Sequence, residues 1–389
     1  MLNRRLLRIK VMQALYGYHL CRESNAELAI KEIQEQLLQS ELPEYANKAA
    51  VKEHIEKIAP QLNQYFLYDT EISTPLSKAL DELVTKEKNK IVRQNQQDAQ
   101  HLRKLLIQNT NLLVKEYMEV LYLLLSLADY VLVEEEEQRN KLLNPIQSPE
   151  HELKFNRNIF IQAMRDSQQL NKMFSEMNCG WSKQHTKEIY KNMLRQDEEY
   201  RKYRSLTTQT FEADKEFILH VIKHVIFKNP KINSEFESSD IFWEENKDII
   251  TTLATKTIKQ YKDEKINELK IFELSQNWEE DKQFFLELFD YSIEADKQLE
   301  KIVLDRVENW DNDRLATLDK ILLKLATAEM IRFSSIPIKV SINEFIEISK
   351  EYSTAKSKVF INGLLDKIAA DLTADGTIKK SGRGLIDNK

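Results

Sequence analysis

The stretch "LATLDKILLKLATAEM", residues 315–330, places leucine at four helical positions: Leu315, Leu318, Leu322 and Leu325. A spacing of three and four residues puts these side chains on one face of a helix, with Ile321 and Ala328 beside them. The stretch contains neither Gly nor Pro, and "FSSIP" ends the pattern at Pro337. We therefore predict a helix that buries this leucine face.

The scarcity of helix breakers extends along the whole chain, which has 6 Gly and 7 Pro among 389 residues. Such a composition is typical of long helices joined by short connections. A hydrophobic content of 42% is enough to bury a core. The sequence therefore predicts an all-α fold.

Charge and cysteine content limit the class of protein. A net charge of -6 argues against a chain that coats nucleic acid over its whole surface, but it permits a local basic site. Two cysteines, Cys21 and Cys179, are too few for a disulfide framework and fit a reducing compartment. The longest apolar run, Val120 to Val133, is too short to span a bilayer and contains Asp129. We expect a soluble, cytoplasmic protein with no membrane partner.

The middle of the chain contains an apparent repeat. "FEADKEFIL" at Phe211 resembles "WEEDKQFFL" at Trp278, and "WEENKD" at Trp243 resembles "WDNDRL" at Trp310. Both pairs lie 67 residues apart, so the two features keep their register across an intervening helix. This pattern predicts a duplicated helical unit. The alternative is chance recurrence of helix starts that combine an aromatic with acidic residues.

Two helices are predicted near the carboxyl end. "SINE" at Ser341 to Glu344 has the pattern of a capping box, so we predict that a helix begins there, with Val340 and Phe345 closing a hydrophobic staple.

The last helix is predicted from about Thr354 to Asp371. It buries Phe360, Leu364 and Ile368, and Gly363 is expected to allow a close helix contact. A flexible basic tail is expected over 371–389.

The amino end is basic. "NRRLLRIKVMQALYGYHL" carries Arg4, Arg5, Arg8 and Lys10, and no carboxylate precedes Glu23. An apolar stripe should attach this first helix to a core, and Ser24–Asn25 should start a second helix. A rigid row of guanidinium groups can neutralise phosphates or stack on unpaired bases, which points to RNA. The alternative is a solvated face with no ligand.

If that face binds RNA, changing Arg5 and Arg8 to Ala should weaken RNA binding and leave the melting temperature nearly unaltered. Catalysis is not expected, because the chain has no phosphate-binding loop, nucleophile elbow or zinc-protease helix. Cys179 and His185 lack a second pair of ligands for a metal site. We expect a non-enzymatic protein without a cofactor.

Two separated stretches resemble the NusB family of bacterial transcription antitermination factors. The first is "RRLLRIKVMQALY" at residues 4–16, and the second includes "IPIKVSINEFIEISK" and "SKVFINGLLDKI" near the carboxyl end. The resemblance implies the family's pair of helical subdomains, enlarged here by an inserted and partly duplicated region. The predicted segments are 1–40, an insert over 41–276 with a repeat unit at about 211–276, a carboxyl-terminal domain over 277–370, and the tail.

The resemblance also implies a function. NusB proteins bind boxA-type RNA of ribosomal RNA leader transcripts together with NusE, a small ribosomal subunit protein, and act on the transcription elongation complex. Seven positions are expected to serve RNA binding: Arg4, Arg5, Arg8, Lys10, Lys324, Lys356 and Phe360. Tyr16 and Asp319 match positions near the protein partner. Phe360 has a competing assignment, because it also falls in the predicted core stripe of the last helix.

Lys356 departs from the family pattern, because many relatives have an acidic residue there. We expect this change to strengthen contact with RNA and to alter the balance between affinity for RNA and affinity for the partner. An alternative function is a helical protein-interaction scaffold whose activity lies in the insert. An RNA-modifying enzyme is a poor third alternative, because no glycine-rich cofactor-binding unit follows the domain.

Overall fold

A computed structural model of the chain describes residues 4–39, 48–140, 153–262, 266, 269–273, 275, 277–307, 316–354 and 356–386. Within these ranges every regular element is helical, which confirms the all-α prediction. The α-helices are α1 (Arg4–Gln39), α2 (Lys48–Tyr68), α3 (Lys78–Arg139), α4 (Ile159–Asp166), α5 (Gln168–Glu176), α6 (Lys183–Ile189), α7 (Glu198–Ser205), α8 (Phe211–His220), α9 (Pro230–Ser239), α10 (Trp243–Lys259), α11 (Trp278–Glu294), α12 (Asp296–Leu304), α13 (Thr317–Arg332), α14 (Ile338–Tyr352) and α15 (Ser357–Ala374). Two π-helices, Tyr190–Leu194 and Val221–Ile226, follow α6 and α8, and a 3-10 helix spans Gly382–Leu385.

Contacts divide the described residues into two compact units. The first unit holds the described residues from 108 to 275, and the second holds those up to 107 together with those from 277 onward. In the second unit, the later part of α1, α2 and the first part of α3 share one apolar core. The sequence analysis assigned residues 41–107 to the insert, and its domain boundaries stay a prediction.

The predicted repeat is partly outside the described residues. Phe211, Trp243 and Trp278 each stand at the first position of a helix, namely α8, α10 and α11. Trp310 lies outside the described residues, so the duplicated unit stays a prediction.

The α1 helix is continuous over 36 residues, so the predicted helix start at Ser24–Asn25 is wrong. The side-chain amide of Asn25 donates to Asn95 Oδ1 at 2.9 Å and to Asp98 Oδ2 at 2.8 Å. Asn favours helix starts because its side chain can bond the local backbone. Here that side chain bonds α3 instead, and the helix continues.

The predicted capping box at Ser341 is also wrong. Helix α14 begins three residues earlier, at Ile338, and Pro337 precedes it. The Ser341 side chain is fully buried and donates to Glu329 Oε1 at 2.7 Å. A tertiary acceptor on α13 therefore takes the hydroxyl that the local pattern assigned to a helix cap.

The leucine face of α13 is confirmed where it is described. Leu322 and Leu325 are fully buried, Leu318 is half-buried, and Leu315 lies outside the described residues. Helix α15 buries Leu364 and Ile368 as predicted.

The described tail packs against the connection between α13 and α14. Ile378 is buried, and the Ser381 amide donates to Ser334 O at 3.0 Å. A Cβ atom at Gly384 would lie 2.1 Å from Ser334 O, so only glycine fits this approach. These contacts attach the described tail to the connection between α13 and α14, and the flexibility expected over 371–389 stays a prediction.

Lys380 makes the attachment of the tail dependent on pH. Its Nζ donates to Phe333 O at 2.9 Å, and burial lowers the pKa of this lysine to about 8, partly offset by Glu329. Below pH 8 the lysine is an ammonium ion in both the attached and the detached tail, so attachment carries the full cost of burying that charge. The cost decreases as pH rises from 8 toward the unfolded pKa of about 10.4, because the buried amine loses its proton first. Attachment should therefore strengthen between these two values.

We expect protection of the tail amides from hydrogen exchange to increase between pH 8 and pH 10 after correction for the intrinsic rate. Lys380→Met should abolish the increase, because methionine keeps the apolar stem and removes the titrating amine. An equal increase in both proteins would show that another group controls the attachment.

Candidate nucleic-acid interface

The first two turns of α1 are buried on nearly every side. Leu6, Leu7, Ile9, Val11 and Met12 are at most 6% exposed. In the second unit α1 contacts α2, α11, α13 and α14. Arg8 and Lys10, which stand between these apolar side chains, are therefore enclosed by neighbouring helices. The polar side chains of an amphipathic surface helix would instead face solvent.

Arg8 forms a buried ion pair with Glu329 of α13. Its Nε and Nη2 donate to the two carboxylate oxygens, each at 2.7 Å, and the two residues are 2% and 0% exposed. The Arg8 guanidinium also lies 5.4 Å from the centre of the Phe284 ring. Parallel hydrogen bonds of this kind fix both position and orientation. This pair, extended by Ser341, joins α1, α13 and α14.

The other arginines of α1 are also paired with carboxylates. Arg5 Nε donates to Glu344 Oε2 at 2.9 Å, and Arg4 bonds Glu280 and Asp281 at 2.6 and 3.2 Å. Their side chains are 29% and 37% exposed.

Burial contradicts the predicted exposed row of four cations. Arg8 and Lys10 are 2% and 3% exposed, because α1 is enclosed by its neighbours at these positions. Only Arg4 and Arg5 retain partial access to solvent. The roles in RNA binding assigned to these four residues stay predictions.

A separate groove follows the outer face of α15. Its volume is about 610 Å³. Six lining residues lie on α15 or just before it, and two follow α12: Lys356, Val359, Phe360, Gly363, Leu364 and Lys367, with Arg306 and Val307. Lys356 and Phe360, both predicted from sequence, are thus brought together.

Gly363 leaves this groove open. A Cβ atom built there would meet no atom within 4 Å, so the predicted close helix contact is wrong. Phe360 is half-buried, and Val359 is 74% exposed. The groove therefore presents an aromatic ring and an aliphatic side chain on a helix that is anchored by Leu364 and Ile368.

The charge of the groove is positive. Lys356 and Lys367 are exposed, and neither forms an ion pair with any residue that the structure describes. Arg306, in contrast, donates to Asp371 Oδ2 at 2.9 Å. The two lysines are the groove's available cations.

Sequence analysis missed Lys367 and Arg306. Lys367 lies seven residues after Phe360, so helical periodicity alone places it on the same face. Arg306 follows α12, and no local pattern connects it to α15.

The remaining predicted residues lie elsewhere in the second unit. Lys324 forms an ion pair with Asp296, which also accepts from Arg22. Asp319 is buried and accepts a hydrogen bond from Ser353. Tyr16 is 40% exposed.

Among the described residues, no group of three potential ligands for a metal ion occurs. In the same ranges, no helix combines the length and apolar character needed to cross a membrane.

Comparison with known proteins finds similarity over the carboxyl-terminal part of the chain. Residues 246–370 match the NusB family. The transcription antitermination protein NusB of Salinibacter ruber is 41% identical over 99 residues, which are 25% of this chain and 62% of that protein. The protein of the same name from Chloroherpeton thalassium is 41% identical over 106 residues, which are 27% of this chain and 50% of that protein.

A solved structure of T. maritima NusB is similar over 43% of this chain and 94% of that chain, with 23% identity and a TM-score of 0.23. The chain spans only 50% and 62% of the length of the two curated relatives.

The matched residues 277–307, 316–354 and 356–370 include the groove, the Arg8 partner Glu329, and Ser341, which donates to Glu329. The molecule is thus an all-α protein whose carboxyl-terminal helices carry an open groove with basic and aromatic side chains. This segment is similar to the NusB family and to the curated NusB proteins of two bacteria.

Proposed function

We propose that this chain is a non-enzymatic, cytoplasmic RNA-binding factor in transcription antitermination. It binds boxA-type single-stranded RNA in ribosomal RNA leader transcripts, together with NusE, at the transcription elongation complex. The curated relatives carry the name transcription antitermination protein, which supports the general activity. The boxA RNA and NusE are taken from the family resemblance.

The α15 groove is the observation that carries the proposal. Proteins bind single-stranded RNA by stacking unpaired bases on aromatic rings and by neutralising phosphates with cations. Phe360 supplies a ring on the wall of the groove, and Lys356 and Lys367 supply unpaired cations along the same helix. Lys356 adds positive charge to the groove.

The α1 arginines have a smaller part in this proposal than the sequence suggested. Arg4 and Arg5 can reach a phosphate only in competition with their carboxylate partners. Tyr16, being exposed, is proposed to contact NusE directly. Asp319 is buried, so it is proposed to support that surface by holding Ser353.

A titration of labelled boxA-type RNA tests the function. The full chain is titrated with and without NusE at two salt concentrations, and a scrambled RNA of equal length is the control. We expect tighter binding to boxA-type RNA than to the scrambled RNA, and further tightening by NusE. Equal affinity for the two RNAs, unchanged by NusE, would contradict the proposal.

The two groove lysines should set part of the salt dependence. Each phosphate neutralised on single-stranded RNA contributes about 0.7 to the slope of log affinity against log salt. Lys356→Ala/Lys367→Ala should therefore flatten the slope by about 1.4 if each lysine contacts one phosphate.

The matched control for this double variant is Lys90→Ala/Lys297→Ala. These lysines are also exposed, but each already pairs with a carboxylate, on Glu32 and Asp69 respectively. The control has the same net charge, so an equal change of slope in both variants would mean that total charge, rather than the groove, sets the affinity.

A protein-interaction scaffold is the second candidate function. One observation favours it: the described residues from 108 to 245, which form most of the first unit, lie outside the family match. Capture of partners from lysate with and without ribonuclease separates the candidates. Partners that persist after digestion of RNA and never include NusE would favour the scaffold.

A further inference from the structure

The first unit carries a surface patch of basic side chains between α8 and α9. Four residues, which we call the 223–231 patch, are exposed: Lys223, His224, Lys228 and Lys231. The apolar residues between them are buried: Val221, Ile222, Val225, Ile226 and Phe227. The same short segment therefore anchors itself in the core and points its basic groups outward.

A π-helix carries Lys223 and His224, and Lys223 and Lys228 both lie close enough to His224 to lower its pKa. The segment Val221–Ile226 is a π-helix, and the Phe227 amide donates to Ile222 O, five residues earlier, at 3.1 Å. In an α-helix, residues five apart lie on different sides. The wider π turn brings Lys223 and Lys228 closer to one side, and π segments inserted in α-helices occur frequently at functional sites.

Carboxylates do not neutralise the patch. None of its three lysines forms an ion pair within the part of the chain that the structure describes. Asp197, which raises the pKa of His224, is held by His220 Nε2 at 3.0 Å, and the centres of the stacked His220 and His224 rings are 4.9 Å apart. Helix α9 has no acidic residue in its first turn, so the positive end of its dipole adds to the patch.

The charges of the patch act on one another. Desolvation lowers the pKa of His224, and the neighbouring Lys228, His220 and Lys223 lower it further, whereas Asp197 opposes them. A polyanion bound across these groups would remove this repulsion. The exposed side chains of the patch include no Phe, Tyr or Trp, and the ring of His224 already stacks on His220. Such a surface binds phosphates through its lysines and offers no Phe, Tyr or Trp on which bases could stack.

We propose that the 223–231 patch binds the phosphate backbone of single-stranded RNA without reading its sequence, as a contact additional to the α15 groove. The inference rests on the proposed function in one respect, namely that the ligand of the chain is RNA. Lysine ammonium groups act as point charges, which suits phosphates at varying positions along a flexible strand.

The test uses the full chain and a 20-nucleotide oligouridine that lacks boxA. Lys223→Ala/Lys228→Ala/Lys231→Ala should weaken oligouridine binding by about tenfold and flatten the salt slope by about 2, because each lost phosphate contact contributes about 0.7. Lys172→Ala/Lys202→Ala is the control, since these exposed lysines of the first unit pair with Glu176 and Glu199. An unchanged affinity and slope in the triple variant would overturn the proposal.

A second measurement follows His224 by NMR. Addition of oligouridine to the wild-type chain should raise the pKa of His224, because bound phosphates favour the imidazolium. No shift of this pKa at saturating oligouridine would also overturn the proposal, as would stronger binding to anionic phosphatidylserine vesicles than to RNA.

The two proposals fail in different ways. If the patch is wrong but the function is right, the wild-type chain binds boxA-type RNA with NusE, and the triple variant binds oligouridine like the wild type. If the function is wrong, the chain binds boxA-type RNA and oligouridine with equal affinity, and NusE changes neither affinity. This result does not depend on whether the patch binds phosphates.

Discussion

Arg8→Ala should lower the free energy of unfolding of the second unit by about 3–5 kcal/mol. The substitution leaves the Glu329 carboxylate fully buried, with Ser341 as its remaining hydrogen-bond donor among the residues that the structure describes. An uncompensated buried charge costs far more than the net contribution of the pair that it replaces. Urea unfolding followed by circular dichroism measures the change.

Two controls separate burial of charge from loss of contacts. Arg4→Ala removes an arginine from the same helix but from a partly exposed pair, so it should cost about 0.2–1 kcal/mol. Arg8→Met/Glu329→Met removes both charges and fills the space with apolar atoms, so it should recover most of the stability. If the double variant is as unstable as Arg8→Ala, the ion pair itself stabilises the protein, and the unpaired Glu329 carboxylate does not account for the loss of stability.

This prediction replaces the expectation drawn from sequence for the Arg5→Ala/Arg8→Ala variant. That expectation had RNA binding weakened and the melting temperature nearly unaltered. Because Arg8 is buried in a tertiary ion pair, loss of RNA binding in this variant would report unfolding as much as loss of a ligand contact. Among Arg4, Arg5 and Arg8, binding experiments are therefore informative at Arg4 and Arg5 only.

Phe360→Ala should weaken binding of boxA-type RNA by about 5- to 150-fold, which corresponds to the 1–3 kcal/mol that base stacking on an aromatic ring contributes. The ring is half-buried on the wall of the α15 groove and has open space beside it at Gly363. Fluorescence anisotropy with labelled RNA measures the loss.

The control for this substitution is Phe360→Tyr, which keeps a stacking ring and should bind within a few-fold of the wild type. Urea unfolding of Phe360→Ala tests whether the loss of affinity reflects loss of structure, because part of the ring contributes to packing. Unaltered affinity in a folded Phe360→Ala variant would remove the groove from the RNA-binding surface.

Local patterns predicted which segments are helical but not all of their ends. The leucine spacing of α13 and the apolar positions of α15 were sufficient, because burial of a helical face depends on the 3.6-residue repeat. The starts assigned to Asn25 and Ser341 were wrong for one reason. Both side chains have the chemistry of a helix cap, yet each bonds a distant helix instead. A capping pattern describes what a side chain can do locally and contains no information about competing tertiary acceptors.

The candidate site likewise combines features that local sequence predicts with features that only tertiary packing decides. The i, i+4 and i+11 spacing places Lys356, Phe360 and Lys367 on one helical face, and the sequence alone contains this information. That Gly363 opens the groove instead of closing a helix contact depends on which element packs there. The carboxylate partners of Arg4, Arg5 and Arg8 all lie more than 270 residues away along the chain, where no spacing rule operates.

By itself, the sequence determined the all-α class, the apolar faces of the carboxyl-terminal helices and the likeness to NusB proteins, because composition and helical periodicity are local properties. Tertiary structure alone decided which cations are available to a ligand. Arg8 and Lys356 are both basic residues on helices, and only the neighbouring helices distinguish them. One is enclosed with a carboxylate at 2.7 Å, whereas the other remains in water.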